Sequence, residues 1–467
     1  MVMRVGGLAT GMDIESIVNK LMEAERMPLV RLTQDRQMLE WKRDAFRDIN
    51  KALLELDNMI LDMKLSKTYF TKKVTSSNES AVTAQAATSA LEGSFSIKVE
   101  QLATTAINVS TEEVNIDDIN KSLKDLGFDL DSDEFTFITY NEDGSSEYHS
   151  IDINENDTIN DVLNKIYEKS NKRVRAFYDS QSQKFVFETT RTGKYNPDGP
   201  EIDFDEDNTL FTEVFKLKAV KANGPNDIGE KGGENAKFVY NNGLVIESKD
   251  NRYTLNGVTF EFHNTTTENV RINVSNDVDH AFNAIMNFVN KYNEVVEKLH
   301  GSQQEQVYRD YKPLTDEQKE EMTEKQIEQW EERAKSGILR GEAAITSGLF
   351  AMRQSWYAKV DTGDVYTSLS QIGITTSNRY LEGGKLEVDE DKLRQALREN
   401  PEAVHKLFSN SESSEKRGII NRLEDAVEST MKKIEERAGK GTHTLEQYTL
   451  GRRLKDLNER ISAFEAR

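Results

Sequence analysis

The sequence predicts an α+β multidomain protein. A long coiled-coil or helical-bundle stalk is formed by the N- and C-terminal segments, and β-rich outer domains are inserted between them. Three observations predict this fold class. Apolar residues recur at helical spacing near the N-terminus, the same spacing returns in the last third of the chain, and the middle changes to the two-residue period of strands. The 467 residues suffice for several domains of about 100–200 residues each.

The first long helix is predicted over residues 35–65. Its apolar residues form two adjacent stripes, one at Ala45, Ile49, Ala52, Leu56, Met59 and Met63 and the other at Leu39, Phe46, Leu53 and Ile60. Two such stripes make an apolar face wider than a two-stranded coiled coil needs. The helix, about 45 Å long at ~1.5 Å per residue, therefore needs several partner helices.

The partner helices are predicted far along the chain. Residues 278–299 repeat the spacing, and so do two segments near the C-terminus. We expect the coiled-coil core to consist of Phe46, Ile49, Leu53, Leu56, Ile285, Val289, Tyr292, Val296, Leu454, Leu457 and Ile461. The alternative is that each helix packs inside a compact domain of its own. The joined-ends bundle is favoured because nothing beside residues 35–65 can cover the apolar face of that helix.

The middle of the chain reads as strands and turns. Alternating apolar residues at 95–99 and 135–140 predict half-buried strands. Asn256-Gly257 between two β-rich runs predicts a hairpin with a type I′ turn. Residues 192–200 and 223–235 are rich in Gly, Pro, Asn and Asp, which predicts loops.

Local signals also mark the last third. Thr315 with Gln318 forms a capping box that predicts one helix through Trp330, and Asn400 with Pro401 predicts the start of a short helix. We therefore expect four parts. They are a flexible terminal leg helix at 1–34; a helical bundle domain at 35–70 plus 277–467, with a small hairpin at 368–390 and C-terminal leg helices; a β-rich outer domain at 71–110 plus 235–276; and a second β-rich outer domain inserted in the first, at 111–234.

Composition excludes several classes of function. The formal net charge of −21 repels nucleic acid and anionic lipid, so we expect no nucleic-acid partner. Cysteine is absent, which removes disulfides, thiol nucleophiles and thiolate metal sites. No apolar run reaches the roughly 18 residues of a membrane span, so we expect no membrane insertion. The first residues also lack the apolar segment of a secretory signal.

The sequence contains no recognisable reactive constellation. Its histidines lack partners at zinc-site spacing, and it has no phosphate-binding glycine loop or nucleophile elbow. The alternating aspartates at 129–133 and 203–207 lack the glycine and closing glutamate of an EF-hand loop, so a solvated surface is favoured over calcium binding. We therefore expect no catalytic site, cofactor or metal, and a role in assembly. An enzyme hidden in the middle domains is the alternative.

Several segments carry a family resemblance. The opening segment, residues 7–18, reads GLATGMDIESIV, and further segments follow at 73–77, 93–103, 158–187, 308–315 and 372–404. In this order they resemble the flagellar filament-capping family, also called hook-associated protein 2, and the opening is quite specific to that family. The resemblance covers most of the chain.

The resemblance implies a structural cap at the distal end of the bacterial flagellar filament. Such a cap promotes the folding and polymerisation of exported flagellin and is required for filament elongation and motility. The resemblance also implies a homo-oligomeric ring of about five copies, flagellin as a partner, and export through the flagellar type III apparatus with an export chaperone. The protein is then secreted and lies at the filament tip. The alternatives are a surface adhesin and a component of the hook–filament junction.

In this family the terminal helices form legs that contact the filament. For this chain the resemblance implies contact residues at Leu8, Asp13, Ile14, Ile17 and Leu21, where Asp13 is able to cap a helix with an apolar face. The chain stops at Arg467 inside an apolar pattern, without a glycine cap. Since family members usually continue with a further helix, we expect the leg to be incomplete in the chain as given.

Overall fold

The computed structural model describes residues 14–128, 130, 132–219, 229–379, 382–412 and 414–466. The chain divides into two compact units. The helical unit contains the chain up to Thr71 and from Asp277 onward, and the outer unit is Lys72–Asn276. Each unit is described by itself below.

The elements are numbered in chain order. The helices are α1 (Ile14–Lys64), α2 (Lys67–Phe70), α3 (Ile159–Lys169), α4 (Val278–Gln304), α5 (Asp316–Glu320), α6 (Glu324–Lys335), α7 (Ala343–Tyr357), α8 (Glu390–Glu399), α9 (Pro401–Ser409), α10 (Ile419–Ala438) and α11 (Thr449–Glu465). The strands are β1 (Lys72–Ser76), β2 (Val82–Ala86), β3 (Gly93–Gln101), β4 (Thr105–Val109), β5 (Glu134–Tyr140), β6 (Ser146–Asp152), β7 (Val174–Asp179), β8 (Lys184–Thr192), β9 (Glu230–Gly232), β10 (Ala236–Tyr240), β11 (Leu244–Ser248), β12 (Arg252–Leu255), β13 (Val258–Phe262), β14 (Val270–Asn276), β15 (Ile374–Thr376) and β16 (Leu386–Val388).

The helical unit is built from both ends of the chain. α1 packs against α10 and α11 and also against α4, which confirms the predicted α+β fold with a body formed by the terminal segments. Both predicted stripes of α1 contribute to its core, because Phe46, Leu53 and Leu56 are all fully buried. α1 continues without interruption through residue 35, where we placed the boundary between leg and bundle.

Local capping signals are confirmed in part. Thr315 and Gln318 form the expected capping box, but the helix they begin ends at Glu320, and a second box at Thr323 and Gln326 begins α6. The prediction of one helix was therefore wrong, since a second N-cap lay hidden in a polar run. The Asn400 cap of α9 and the β15–β16 hairpin both form as predicted.

The outer unit contains two β-rich modules. The first module has a five-stranded sheet in the order β1-β14-β3-β10-β11 and a three-stranded sheet in the order β12-β13-β2. The second module has a four-stranded sheet in the order β7-β8-β4-β9, the β5-β6 hairpin and α3. Phe238 and Phe260 lie in the core of the first module, while Phe185, Phe187 and Phe211 lie in that of the second.

Turn residues fit their turns, whereas one short strand was missed. Asn256 and Gly257 both have positive φ, +49° and +78°, as the predicted type I′ turn requires. β9 lies inside the predicted loop 223–235, because its three residues pair with β4 through a distant contact that local composition does not reveal. β4, which our division at residue 110 placed in the first outer domain, pairs with β8 and β9 of the second module.

Two buried carboxylates hold the loop that follows β8. The Glu230 carboxylate accepts hydrogen bonds from the backbone N–H groups of Glu201 (2.7 Å) and Ile202 (2.9 Å). The Glu201 carboxylate accepts in turn from Tyr195 (2.6 Å) and Asn196 (2.8 Å). Burial raises the pKa of Glu230 to about 7 and also raises the pKa values of Glu201 and Asp203.

We expect the free energy of unfolding of the outer unit to fall as the pH rises from 4.5, the ordinary pKa of Glu230, to about 7. In that window folded Glu230 keeps a proton that the unfolded chain has released, so rising pH favours unfolding. Urea unfolding followed by circular dichroism measures the change. Tryptophan fluorescence reports the helical unit separately, since Trp41, Trp330 and Trp356 all lie in that unit.

The matched variant for this test is Glu230→Gln, which stays neutral at every pH. Its stability is expected to depend less on pH than that of the wild type across the same window. Equal slopes for the two proteins would mean that Glu230 is not the group that titrates.

Candidate functional site on the terminal helices

The exposure of the apolar side chains of α1 differs on the two sides of Pro28. Proline has no backbone N–H, so the helical hydrogen bond to the carbonyl four residues earlier is absent there, yet α1 continues on both sides. From Phe46 to Met63 the stripes of α1 are buried, apart from Met59, which is half-buried. Ahead of Pro28, the described apolar side chains are exposed instead.

These exposed side chains form one patch, which we call the leg face and define as Val18, Leu21 and Met22. Their exposed fractions are 49%, 62% and 50%. The spacings i, i+3 and i+4 place the three on the same side of a helix. Within the described part of the chain, the leg face is therefore an apolar surface at the N-terminal end of α1 that faces solvent.

The end of α11 lies next to this part of α1. An open groove of about 1470 Å³ is lined by Met22, Met27 and Leu29 of α1, by Phe464 of α11 and by polar residues of α5. A second groove of about 610 Å³ lies between Pro28 and Phe464. Apolar surface thus continues from the leg face toward the last turn of α11.

The predicted leg residues have different outcomes. Leu8 and Asp13 lie outside the described residues. Ile14 and Ile17 lie in the first two turns of α1, but their side chains are not among those described. Leu21 is described and exposed, so a contact role for it stays a prediction.

The predicted core residues are all buried. Eight of them lie in one shared core cluster of the helical unit, namely Phe46, Ile49, Leu53, Leu56, Ile285, Val289, Tyr292 and Val296. Leu454, Leu457 and Ile461 are also buried, at 2%, 8% and 5% exposure. They lie on α11, which packs along α1, and they do not belong to that core cluster.

Polar contacts also tie the two chain ends together. Arg47 of α1 donates to the carbonyls of Ala438 (3.2 Å) and Lys440 (3.0 Å), which satisfies acceptors left free at the end of α10. Lys291 of α4 lies 2.6 Å from Glu55 of α1. This hydrogen bond lowers the pKa of Glu55 and raises that of Lys291, although an ion pair exposed to solvent contributes little to stability.

Among the described residues, one cluster of three carboxylates has the geometry to hold a cation. Ligand oxygens of Asp57, Glu424 and Glu428 lie within 4.8 Å of one another. Lys64 already pairs with Glu424, while burial and the nearby Glu424 raise the pKa of Asp57. A bound cation would compete with that lysine, so we assign the group to an ion-pair network between α1 and α10.

A second exposed apolar stripe near the C-terminal end of α1 was not predicted. Leu54 and Leu61 are 47% and 50% exposed, and their spacing of seven residues places them on one face of the helix. Leu65, which is 43% exposed, follows directly after the last residue of α1. The same spacing describes the buried stripes, so periodicity alone did not separate the covered face from the open one.

Known proteins match the whole chain. The family described as flagellar hook-associated protein 2 C-terminus matches residues 233–467, and flagellar hook-associated protein 2 N-terminus matches residues 10–106. The flagellar hook-associated protein 2 of Halalkalibacterium halodurans is 35% identical over 100% of this chain and 93% of that protein. That of Thermotoga maritima is 24% identical over 99% of this chain and 91% of that protein.

A solved structure has the same fold. The D1-D2-D3 domains of the flagellar cap protein FliD from Escherichia coli match with a TM-score of 0.59 at 19% sequence identity. The match covers 89% of this chain and 99% of that one. No helix within the described residues has the length and apolarity needed to span a membrane.

Proposed function

The chain belongs to the flagellar hook-associated protein 2 family, and we propose that the leg face of α1 is the surface with which it contacts the flagellar filament. The protein is a flagellar cap protein that acts outside the cell, at the filament tip, in the polymerisation of flagellin. It is a structural protein rather than an enzyme. Its partners are components of the flagellar filament.

The exposed leg face carries this proposal. An isolated helix turn is marginally stable in water and gains stability when a partner covers its apolar side. Val18, Leu21 and Met22 are uncovered within the described chain, so a filament subunit would stabilise them on contact. A small apolar contact of this kind is weak and reversible, which suits a cap that has to advance after each added subunit.

We propose the finer partners from the family resemblance. The cap is a ring of about five copies that receives flagellin subunits, and the chain reaches the tip through the flagellar type III export apparatus with an export chaperone. The domain division also stays a proposal, with residues 1–34 as leg and the two modules of the outer unit as separate domains. The packing of β4 moves the proposed boundary between these modules to the start of that strand.

Charging the leg face is expected to abolish capping without unfolding the protein. The test replaces Leu21 and Met22 by glutamate in cells whose own cap protein has been deleted. Contact with a filament subunit would bury the two glutamate charges, which is unfavourable. We therefore expect hooks without long filaments. We also expect a marked rise in monomeric flagellin in the medium, since uncapped tips release the exported subunits.

The matched control replaces Phe350 and Val365 by glutamate, which places the same two charges at residues that are 64% and 62% exposed elsewhere in the helical unit. This control is expected to restore filaments, and tryptophan fluorescence should show equal unfolding midpoints for the two double variants. Normal filaments with the doubly charged leg face would refute the proposed contact.

A further inference from the structure

The two edge strands of the five-stranded sheet differ in how well they are protected from pairing with a further strand. β1 forms one edge and begins with Lys72 and Lys73, and charged lysines at an edge discourage the addition of another strand. β11 forms the other edge. It reads Leu-Val-Ile-Glu-Ser, with no lysine, proline or bulge to protect it.

Two of the three exposed side chains of β11 are apolar, and the third is that of Glu247. Leu244 and Val245 are 51% and 56% exposed, whereas Ile246 points into the core and is 9% exposed. In an antiparallel pair, a strand directs only half of its backbone N–H and C=O groups to its neighbour. β10 is the one described strand that pairs with β11, so the other half of the backbone groups of β11 faces outward beside two uncovered apolar side chains.

The inner partner of β11 shows which residues fit opposite it. Val239 of β10 lies opposite Val245, and Lys237 lies opposite Glu247. An apolar pair and an opposite-charge pair each stabilise neighbouring strands. A strand on the free edge faces the same two residues of β11, so it needs an apolar residue and, two positions earlier in its own sequence, a basic one.

A second copy of β11 does not meet this need. β11 contains no basic residue, so two β11 strands paired antiparallel over their full length leave both Glu247 carboxylates without an opposite charge. The formal net charge of −21 also opposes the approach of two copies. Charge complementarity favours a segment from a different chain that carries a lysine or arginine.

We propose that the free edge of β11 docks an extended polypeptide segment, which adds to the sheet as a sixth, antiparallel strand with an apolar residue opposite Val245 and a basic residue opposite Glu247. Main-chain hydrogen bonds supply the binding and the two side-chain positions supply the selectivity, as in other cases of strand addition. This inference goes beyond the proposed function, since it concerns the outer unit and does not depend on the leg face.

The test uses the full chain and a fluorescein-labelled peptide that copies residues 235–241, NAKFVYN, titrated by fluorescence anisotropy. A second peptide carries glutamate in place of its lysine. The variant Glu247→Lys is expected to bind the lysine peptide about tenfold more weakly, because the change replaces an attractive cross-strand pair with a repulsive one. The same variant is expected to bind the glutamate peptide more tightly than the wild type does.

The matched control is Glu79→Lys, which makes the same charge change at an exposed residue between β1 and β2 and is expected to leave both affinities unchanged. Absence of saturable peptide binding, or equal effects of the two variants, would overturn the proposal. Sedimentation measurements test the remaining possible occupant of the edge, which is a second copy of this chain. Self-association of the wild type that Val245→Lys abolishes would assign the edge to a second copy and overturn the proposal as well.

Discussion

Replacing Leu53 by alanine is expected to lower the free energy of unfolding of the helical unit by about 2–5 kcal/mol. Leu53 is completely buried in a core that residues of α1, α4 and α10 share. The substitution removes apolar contacts and leaves a cavity that well-packed helices cannot close. The loss measures how firmly the N-terminal helix is held by helices from the other end of the chain.

The adjacent leucine provides the control. Leu54 is 47% exposed and lies about 100° around α1 from Leu53, so Leu54→Ala should change the free energy of unfolding by no more than ~0.5 kcal/mol. Urea unfolding followed by tryptophan fluorescence compares the two variants. Equal losses at both positions would contradict the packing of α1 described above.

Replacing Gly348 by alanine is expected to destabilise the helical unit by about 1–3 kcal/mol. A Cβ atom at this position of α7 would lie 2.5 Å from both Cγ2 and Oγ1 of Thr430 on α10. Thr430 is 1% exposed, and its hydroxyl donates to the Ala426 carbonyl at 2.6 Å, so the side chain has no free space into which to move. α7 and α10 must separate to admit the methyl group.

Two comparisons isolate this steric cause. At Gly301 of α4, a built Cβ has no atom within 4 Å apart from the nearby backbone of its own helix, so Gly301→Ala is expected to stabilise the protein by about 0.5–1 kcal/mol. Thr430→Ala removes both crowding atoms, so adding it to Gly348→Ala should recover part of the loss, and the two changes should be non-additive. Additive effects would show that the helices do not cross closely at Gly348.

The elements predicted from sequence are those that local signals specify. The stripes through Phe46 and Leu53 repeat the helical period over many turns, and Asn256-Gly257 has the conformational freedom that its turn demands. The break between α5 and α6 was not predicted, because Thr323 lies in a polar run with no apolar period to interrupt. β9 depends on pairing with β4, which is more than a hundred residues earlier in the chain.

The candidate site was predicted only in part, because local signals do not show which faces of a helix are covered by other helices. The sequence identifies an apolar face that includes Leu21, but whether a face is covered depends on which helices pack against it. Leu54 and Leu61 repeat with a spacing that also occurs in the buried stripes, and only the positions of α4, α10 and α11 distinguish the two. The edge strand β11 likewise requires the order of strands in its sheet, which no single segment encodes.

The route of the chain into the outer unit has a consequence for folding and for variation in length. Lys72 and Asn276 are paired across β1 and β14, and the N–H of Asp277 donates to the Thr71 carbonyl at 2.8 Å. Once this short ladder has formed, α1 and α4 are joined as the arms of a hairpin, and the entropy of closing the long intervening segment no longer opposes their association. The ladder therefore holds the two ends of the outer unit beside each other. The length of an insert beyond the ladder affects only the entropy of forming the ladder, by about 0.6 kcal/mol for each doubling of the segment, and not the later association of α1 with α4.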